Sequence, residues 1–108
     1  MKSNSIENFD HSWRFVTNHA HVLTCIWAAP TARLRDIAET VGITERTAAQ
    51  IVNDLEEAGY LSKERVGRRN EYKVHEELPL RHPQHRHHTV GGLLRFLETP
   101  ESARARDT

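Results

Sequence analysis

Residues 34–53 read LRDIAETVGITERTAAQIVN, and the spacing within them decides the fold. Ile37, Ala38 and Val41 recur at helical intervals before Gly42, and Ala48, Ile51, Val52 and Leu55 do so after it. Gly42 supplies a sharp reversal, because glycine takes a positive φ without a Cβ penalty. Thr44 stands where a hydroxyl caps the first turn of a new helix. The pattern predicts helices over about 35–41 and 45–58, the second ended by Gly59. Ala38 is small, as two closely crossing helices require. Two helices joined by a three- or four-residue turn containing glycine form a helix-turn-helix.

Burying that apolar set determines what remains outside. Glu45, Arg46, Ala49, Gln50 and Asn53 share the opposite face of the second helix, concentrated towards its N-terminus. A face of this kind fits the major groove of duplex DNA, where arginine pairs with guanine and glutamine or asparagine with adenine. Glu45 is the one acid in the set, and either a cytosine amino group or a salt bridge to the neighbours of Arg46 is expected to engage it. Thr44 and Thr47, with the first amides of the helix, suit phosphate contacts, and Arg33 and Arg35 beside the first helix are expected to join them. Asp54, Glu56 and Glu57 come later on the helix and are expected to lie away from DNA.

Downstream the period changes. YLSKERV and EYKV are rich in β-formers and flank Gly67, Arg68, Arg69 and Asn70, which reads as an antiparallel hairpin with two arginines at its tip. Leu61 and Val66 differ in parity, so either a bulge or a partly buried first strand is expected. Tyr72 and Val74 face inward on the second strand. HEELPLRHPQHRHH then reads as a polar crossing loop, and TVGGLLRFLE as a short amphipathic helix with Leu93, Leu94, Phe96 and Leu97 on an apolar surface.

Upstream, SWRFVTNHAHVLTCIWAA predicts a long first helix capped by Asp10 or Ser12 and ended before Pro30, with a short extended stretch after the proline. Its apolar stripe is wider than one packing face needs. Phe15, Val22 and Ile26, with Leu93, Leu94 and Leu97, are therefore expected to form a homodimer interface. Residues 1–9 read as a loose terminus, 10–98 as one domain and 99–108 as a disordered tail.

Composition bounds the function. At 108 residues the chain suffices for one modest core, and 28% charged residues fit a soluble domain. A single cysteine, Cys25, excludes an internal disulfide and suits a reducing, cytoplasmic setting. No apolar run is long enough to cross a membrane. Fifteen Lys and Arg balance fifteen Asp and Glu, so net charge gives no support to DNA binding. No nucleophile, phosphate-loop or metallohydrolase motif occurs, so no enzymatic activity and no cofactor are expected. His82, His85, His87 and His88 crowd one loop and are candidates for a metal or proton sensor, although a solvated basic loop explains them as well.

The stretch from Leu34 to Val74, with DLEEAGYL followed by a basic hairpin, resembles the winged helix-turn-helix of MarR-like and ArsR-like bacterial transcription regulators. The resemblance implies an α+β, mainly helical fold with a two-stranded wing and a C-terminal helix. It implies a recognition helix over 44–58 and a wing in which Arg65, Arg68, Arg69 and Asn70 approach a phosphate or the minor groove. It also implies a dimeric repressor of double-stranded DNA, open to an effector of unidentified chemistry. The chain is shorter than a full MarR-like regulator, and the metal-sensing cysteines of some ArsR-like proteins are missing. A winged helix that binds another protein instead of DNA is the alternative.

Overall fold

A computed structural model describes residues 13–98. The elements are α1 (Asn18–Ala28), α2 (Leu34–Val41), α3 (Glu45–Glu57), β1 (Leu61–Val66), β2 (Arg69–Val74), a single 3₁₀ turn (Pro83–His85) and α4 (Val90–Leu97). The expected caps Asp10 and Ser12 and both expected terminal tails lie outside the described residues.

The first helix is shorter than expected. Thr17 caps it, its hydroxyl accepting the Ala20 amide at 3.2 Å, so Trp13 and Phe15 precede the helix. Both are exposed, and their rings meet edge to face at 4.8 Å. Ala29 closes the other end by donating to the Cys25 carbonyl at 3.0 Å, and Pro30 prevents continuation.

α1 crosses the crystal-like interior of the domain and packs on α2, α3, β2 and α4. Val22, Ile26, Ile37 and Leu94 are fully buried, and Leu23, Trp27, Ala38, Ala48, Ile51, Val52, Leu55, Tyr60, Leu61, Tyr72 and Val90 complete the core. This corrects the reading of the wide stripe. Val22, Ile26 and Leu94 are fully buried in the core of their own chain, so none of the three has surface left for a second subunit. Phe15 remains exposed, and Leu93 and Leu97 are half-buried.

The two turns around α3 are built from glycine. Gly42 has φ 88°, and the Ile43 amide bonds the Ala38 carbonyl at 3.0 Å. After α3, Gly59 has φ 89°, the Tyr60 amide bonds the Leu55 carbonyl at 3.0 Å, and the Gly59 amide bonds Glu56 at 3.1 Å. That pair of bonds is the Schellman arrangement, and Tyr60 and Leu55 make its accompanying apolar pair in the core.

β1 and β2 pair without interruption from Leu61↔Val74 to Val66↔Arg69. There is no bulge, and β1 is instead buried only at Leu61. The turn is two residues, Gly67 and Arg68, so Arg69 and Asn70 belong to β2 rather than to the tip. Gly67 has φ 63° and no non-glycine described residue has positive φ, which is the type II′ pattern with glycine first. No strand forms between Pro30 and the start of α2 at Leu34. The expected extended stretch is reduced to one ladder-like bond, from the Tyr72 amide to the Pro30 carbonyl at 2.9 Å.

The crossing loop is more firmly held than its polarity suggests. The Tyr60 hydroxyl donates to the Pro79 carbonyl at 2.7 Å, and the Val90 amide to Leu78 at 2.8 Å. Leu78 and Leu80 pack against the core. Glu76 in the loop then joins α1 and α4: the Trp27 indole N–H donates to its Oε2 at 3.2 Å, and Arg95 pairs with its Oε1 at 2.8 Å. The Arg95 guanidinium also lies 5.5 Å from the Trp27 ring centroid. A Cβ at Gly91 would fall 2.8 Å from the Glu76 Cβ, so glycine there permits α4 to approach this junction.

Candidate nucleic-acid interface

The N-terminal turn of α3 is pre-set by two threonines. Thr44 Oγ1 accepts the Thr47 amide at 3.0 Å and donates to Thr47 Oγ1 at 2.9 Å. Capping by a hydroxyl of this kind stabilises a helix by about 1 kcal/mol. It also leaves the Thr47 hydroxyl proton available to an outside acceptor. With Ala48, Ile51, Val52 and Leu55 buried, periodicity turns Glu45, Arg46, Gln50 and Asn53 into solvent, with Ala49 half-buried among them. The five expected base-reading positions thus share one face of one helix. Asn53 is partly committed, since its Nδ2 donates to Glu57 Oε2 at 3.3 Å along the helix.

Of the four acids of α3, Asp54 and Glu56 pair on other sides, while Glu45 stays on the outward face and Glu57 accepts from Asn53. Asp54 meets His19 of α1 at 2.9 Å, and Glu56 meets Lys63 of β1 at 3.9 Å. Both pairs are open to solvent, so each contributes at most about 1 kcal/mol. Their effect is to draw negative charge towards α1 and the wing and away from the outward N-terminal face. Arg33 is the N-cap residue of α2 but makes no side-chain cap bond, and Arg35 follows in the first turn; both are exposed.

The wing arginines divide. Arg68 is exposed in the turn itself. Arg65 Nε donates to the Gly67 carbonyl at 3.2 Å, and Arg69 Nη1 donates to the Thr31 carbonyl at 3.2 Å. Asn70 is half-buried opposite Arg65. Sequence reasoning grouped all four; the anchoring of Arg69 to residue 31 carries no sequence signal, because it spans 38 positions.

Among the described residues, no group of three His, Cys, Asp or Glu side chains is placed to hold a metal ion. His82 and His85 lie 5.4 Å apart by ring centroids, and His87 and His88 4.1 Å. His82 Nδ1 accepts the Gln84 amide at 3.1 Å and so caps the 3₁₀ turn. On α1, burial pushes the His21 pKa below its ordinary value, with the Arg14 charge acting in the same direction. Burial raises the Cys25 thiol pKa against a lowering bond from Thr40, which suits a packing role better than a reactive one.

Residues 17–66 match the family model of the MarR family. The fold is a MarR-like winged helix, four helices with a two-stranded antiparallel sheet. The match runs from the cap of α1 to the last residue of β1. The ArsR-like half of the expected resemblance finds no support in these comparisons. Among solved structures, the chain is similar to the PcaV transcriptional regulator from Streptomyces coelicolor in complex with its natural ligand. Identity there is 31% over 55% of this chain and 44% of that one, with a TM-score of 0.48. A second structure of the same regulator gives 31% identity over 55% and 46%, with a TM-score of 0.47. The chain therefore spans less than half the length of these regulators. No curated protein matches it. Among the described residues no helix is long and apolar enough to cross a membrane.

Proposed function

We propose that the chain is a sequence-specific, double-stranded DNA-binding transcription regulator of MarR type, working in the cytoplasm by binding rather than catalysis. The observation that carries this reading is the outward face of α3, where Arg46 and Gln50 stand exposed beside a threonine-capped N-terminus while Asp54 and Glu56 pair with His19 and Lys63 on other sides. The match of residues 17–66 to the MarR family supports it. Arg46 and Gln50 read base edges, Glu45, Ala49 and Asn53 flank them, and Thr44, Thr47, Arg33 and Arg35 meet the phosphates on either side.

The regulator acts as a homodimer on an inverted repeat and represses the genes it binds. Phe15, at 93% exposure, and Phe96, at 83%, are apolar surface that a second copy would cover, with Leu93 and Leu97 beside them. Selection of bound sequences from random duplex DNA tests class and symmetry together. Recovery of a palindrome is the expected result, and recovery of a single unrepeated half-site removes the dimer. The balanced charge of fifteen bases and fifteen acids favours a protein partner instead. No enrichment at any salt concentration would decide for that partner.

A further inference from the structure

The wing is fastened to the body of the domain at two neighbouring points. The Tyr72 amide donates to the Pro30 carbonyl at 2.9 Å, and Arg69 Nη1 donates to the Thr31 carbonyl at 3.2 Å. Both acceptors belong to the connection between α1 and α2, so the two bonds hold β2 against the unit that carries α3. Arg69 is the first residue of β2 and pairs with Val66, the last residue of β1, so it stands at the outermost rung of the ladder. A guanidinium is a planar fork of donors, and engaging a backbone carbonyl fixes its direction as well as its distance. Here that direction is back along the strand towards residue 31, away from the turn.

Arg68 differs in position. It occupies the second position of the two-residue turn, beyond the outermost pair, and like Arg69 it is exposed. Arg65 is turned inward on its own hairpin by its bond to the Gly67 carbonyl at 3.2 Å. Further down the stem, Glu64 and Glu71 stand directly opposite each other. Those two carboxylates disfavour a phosphate at their own rung, although Lys63 and Lys73 lie on the next two rungs of the stem, and the turn that carries Arg68 holds no acid.

We propose that Arg69 is a positioning residue that fixes the wing to residues 30 and 31, and that Arg68 is the wing arginine that meets a DNA phosphate. The division rests on the DNA-binding reading for Arg68, whereas the anchor at Arg69 stands on geometry within the free protein. Two measurements on Arg68→Ala and Arg69→Ala separate the roles. The first is the slope of log K against log salt for duplex DNA, which falls by about 0.9 for each lost phosphate contact. The second is hydrogen exchange of the Tyr72 amide in the absence of DNA.

Arg68→Ala should lower the slope by about 0.9 and leave Tyr72 exchange unchanged. Arg69→Ala should weaken binding with less than half that change in slope, and speed Tyr72 exchange by about fivefold. A slope loss of about 0.9 in Arg69→Ala, or unaltered Tyr72 exchange, would overturn the positioning role. If the unaltered protein binds no duplex, the Arg68 contact falls together with the DNA reading. Tyr72 exchange then still decides the anchor on its own.

Discussion

Residues 34–57 and residues 61–97 reach their positions by different routes. In the α2–α3 unit, each side chain's direction follows from helical period, a threonine cap and a glycine turn, all local in sequence. In the wing, crossing loop and α4, direction is set across long separations: Tyr72 to Pro30, Arg69 to Thr31, Tyr60 to Pro79, and both Trp27 and Arg95 to Glu76. The first region presents its outward face because its other face is buried. The second is held in place by polar contacts to Trp27, Pro30 and Thr31, and by contacts within itself. A surface built the first way tolerates substitution on its exposed face, while one built the second way shifts when a single anchor is lost.

The largest effect that would test this contrast is in the core of α3. Ile51→Ala should destabilise the fold by about 2–5 kcal/mol in denaturant melts, whereas Gln50→Ala one position earlier should stay within about 0.5 kcal/mol. Equal losses at both sites would mean that the face of α3 is assigned wrongly. Next come the two glycines of α4. Gly91→Ala places a Cβ 2.8 Å from the Glu76 Cβ and should cost about 1–3 kcal/mol, despite alanine's better helix propensity. Gly92→Ala meets only Thr89 Oγ1 at 3.4 Å and should stabilise by about 0.5–1 kcal/mol. If both substitutions stabilise, the junction at Glu76 is looser than its contacts indicate.

Smaller again is the cap of the local region. Thr44→Ala should lower stability by about 1 kcal/mol, and Thr44→Ser should recover most of it. The smallest effect is titration. The His21 pKa is lowered in the fold from an ordinary 6.5, so below that value the unfolded chain binds the proton more readily. Stability contributed by neutral His21 is complete above pH 6.5 and is lost as pH falls through the folded-state value. The melting temperature should therefore drop between pH 7.5 and 5.5 by less in His21→Gln than in the unaltered protein. An identical drop would place the acid sensitivity elsewhere.

The same division explains what could be read from the sequence. Ile37 to Leu55 gave both helices, their turn and the exposed face, because period and caps are written in consecutive residues. The start of α1 was misplaced because Trp13, Phe15 and Val16 extend an apolar pattern that the Thr17 cap cuts short. The wing was recognisable from Gly67, but GRRN does not reveal that the turn closes after Arg68. Val22, Ile26 and Leu94 left the expected dimer stripe for a related reason. An apolar residue looks the same whether its own chain covers it, as with these three, or leaves it open, as with Phe96. Glu76 carried no signal, since its partners lie 49 residues before it, at Trp27, and 19 after it, at Arg95.

The exposed face of α3 is the centre of the account, and sequence preference is its most direct readout. Random duplex DNA should be selected with the unaltered protein and with Arg46→Ala and Gln50→Ala. Each variant should lose discrimination at particular base pairs of the recovered site, at about 1–3 kcal/mol per lost contact, and keep the remaining positions. Recovery of the same sequence with the same discrimination by all three proteins would contradict it.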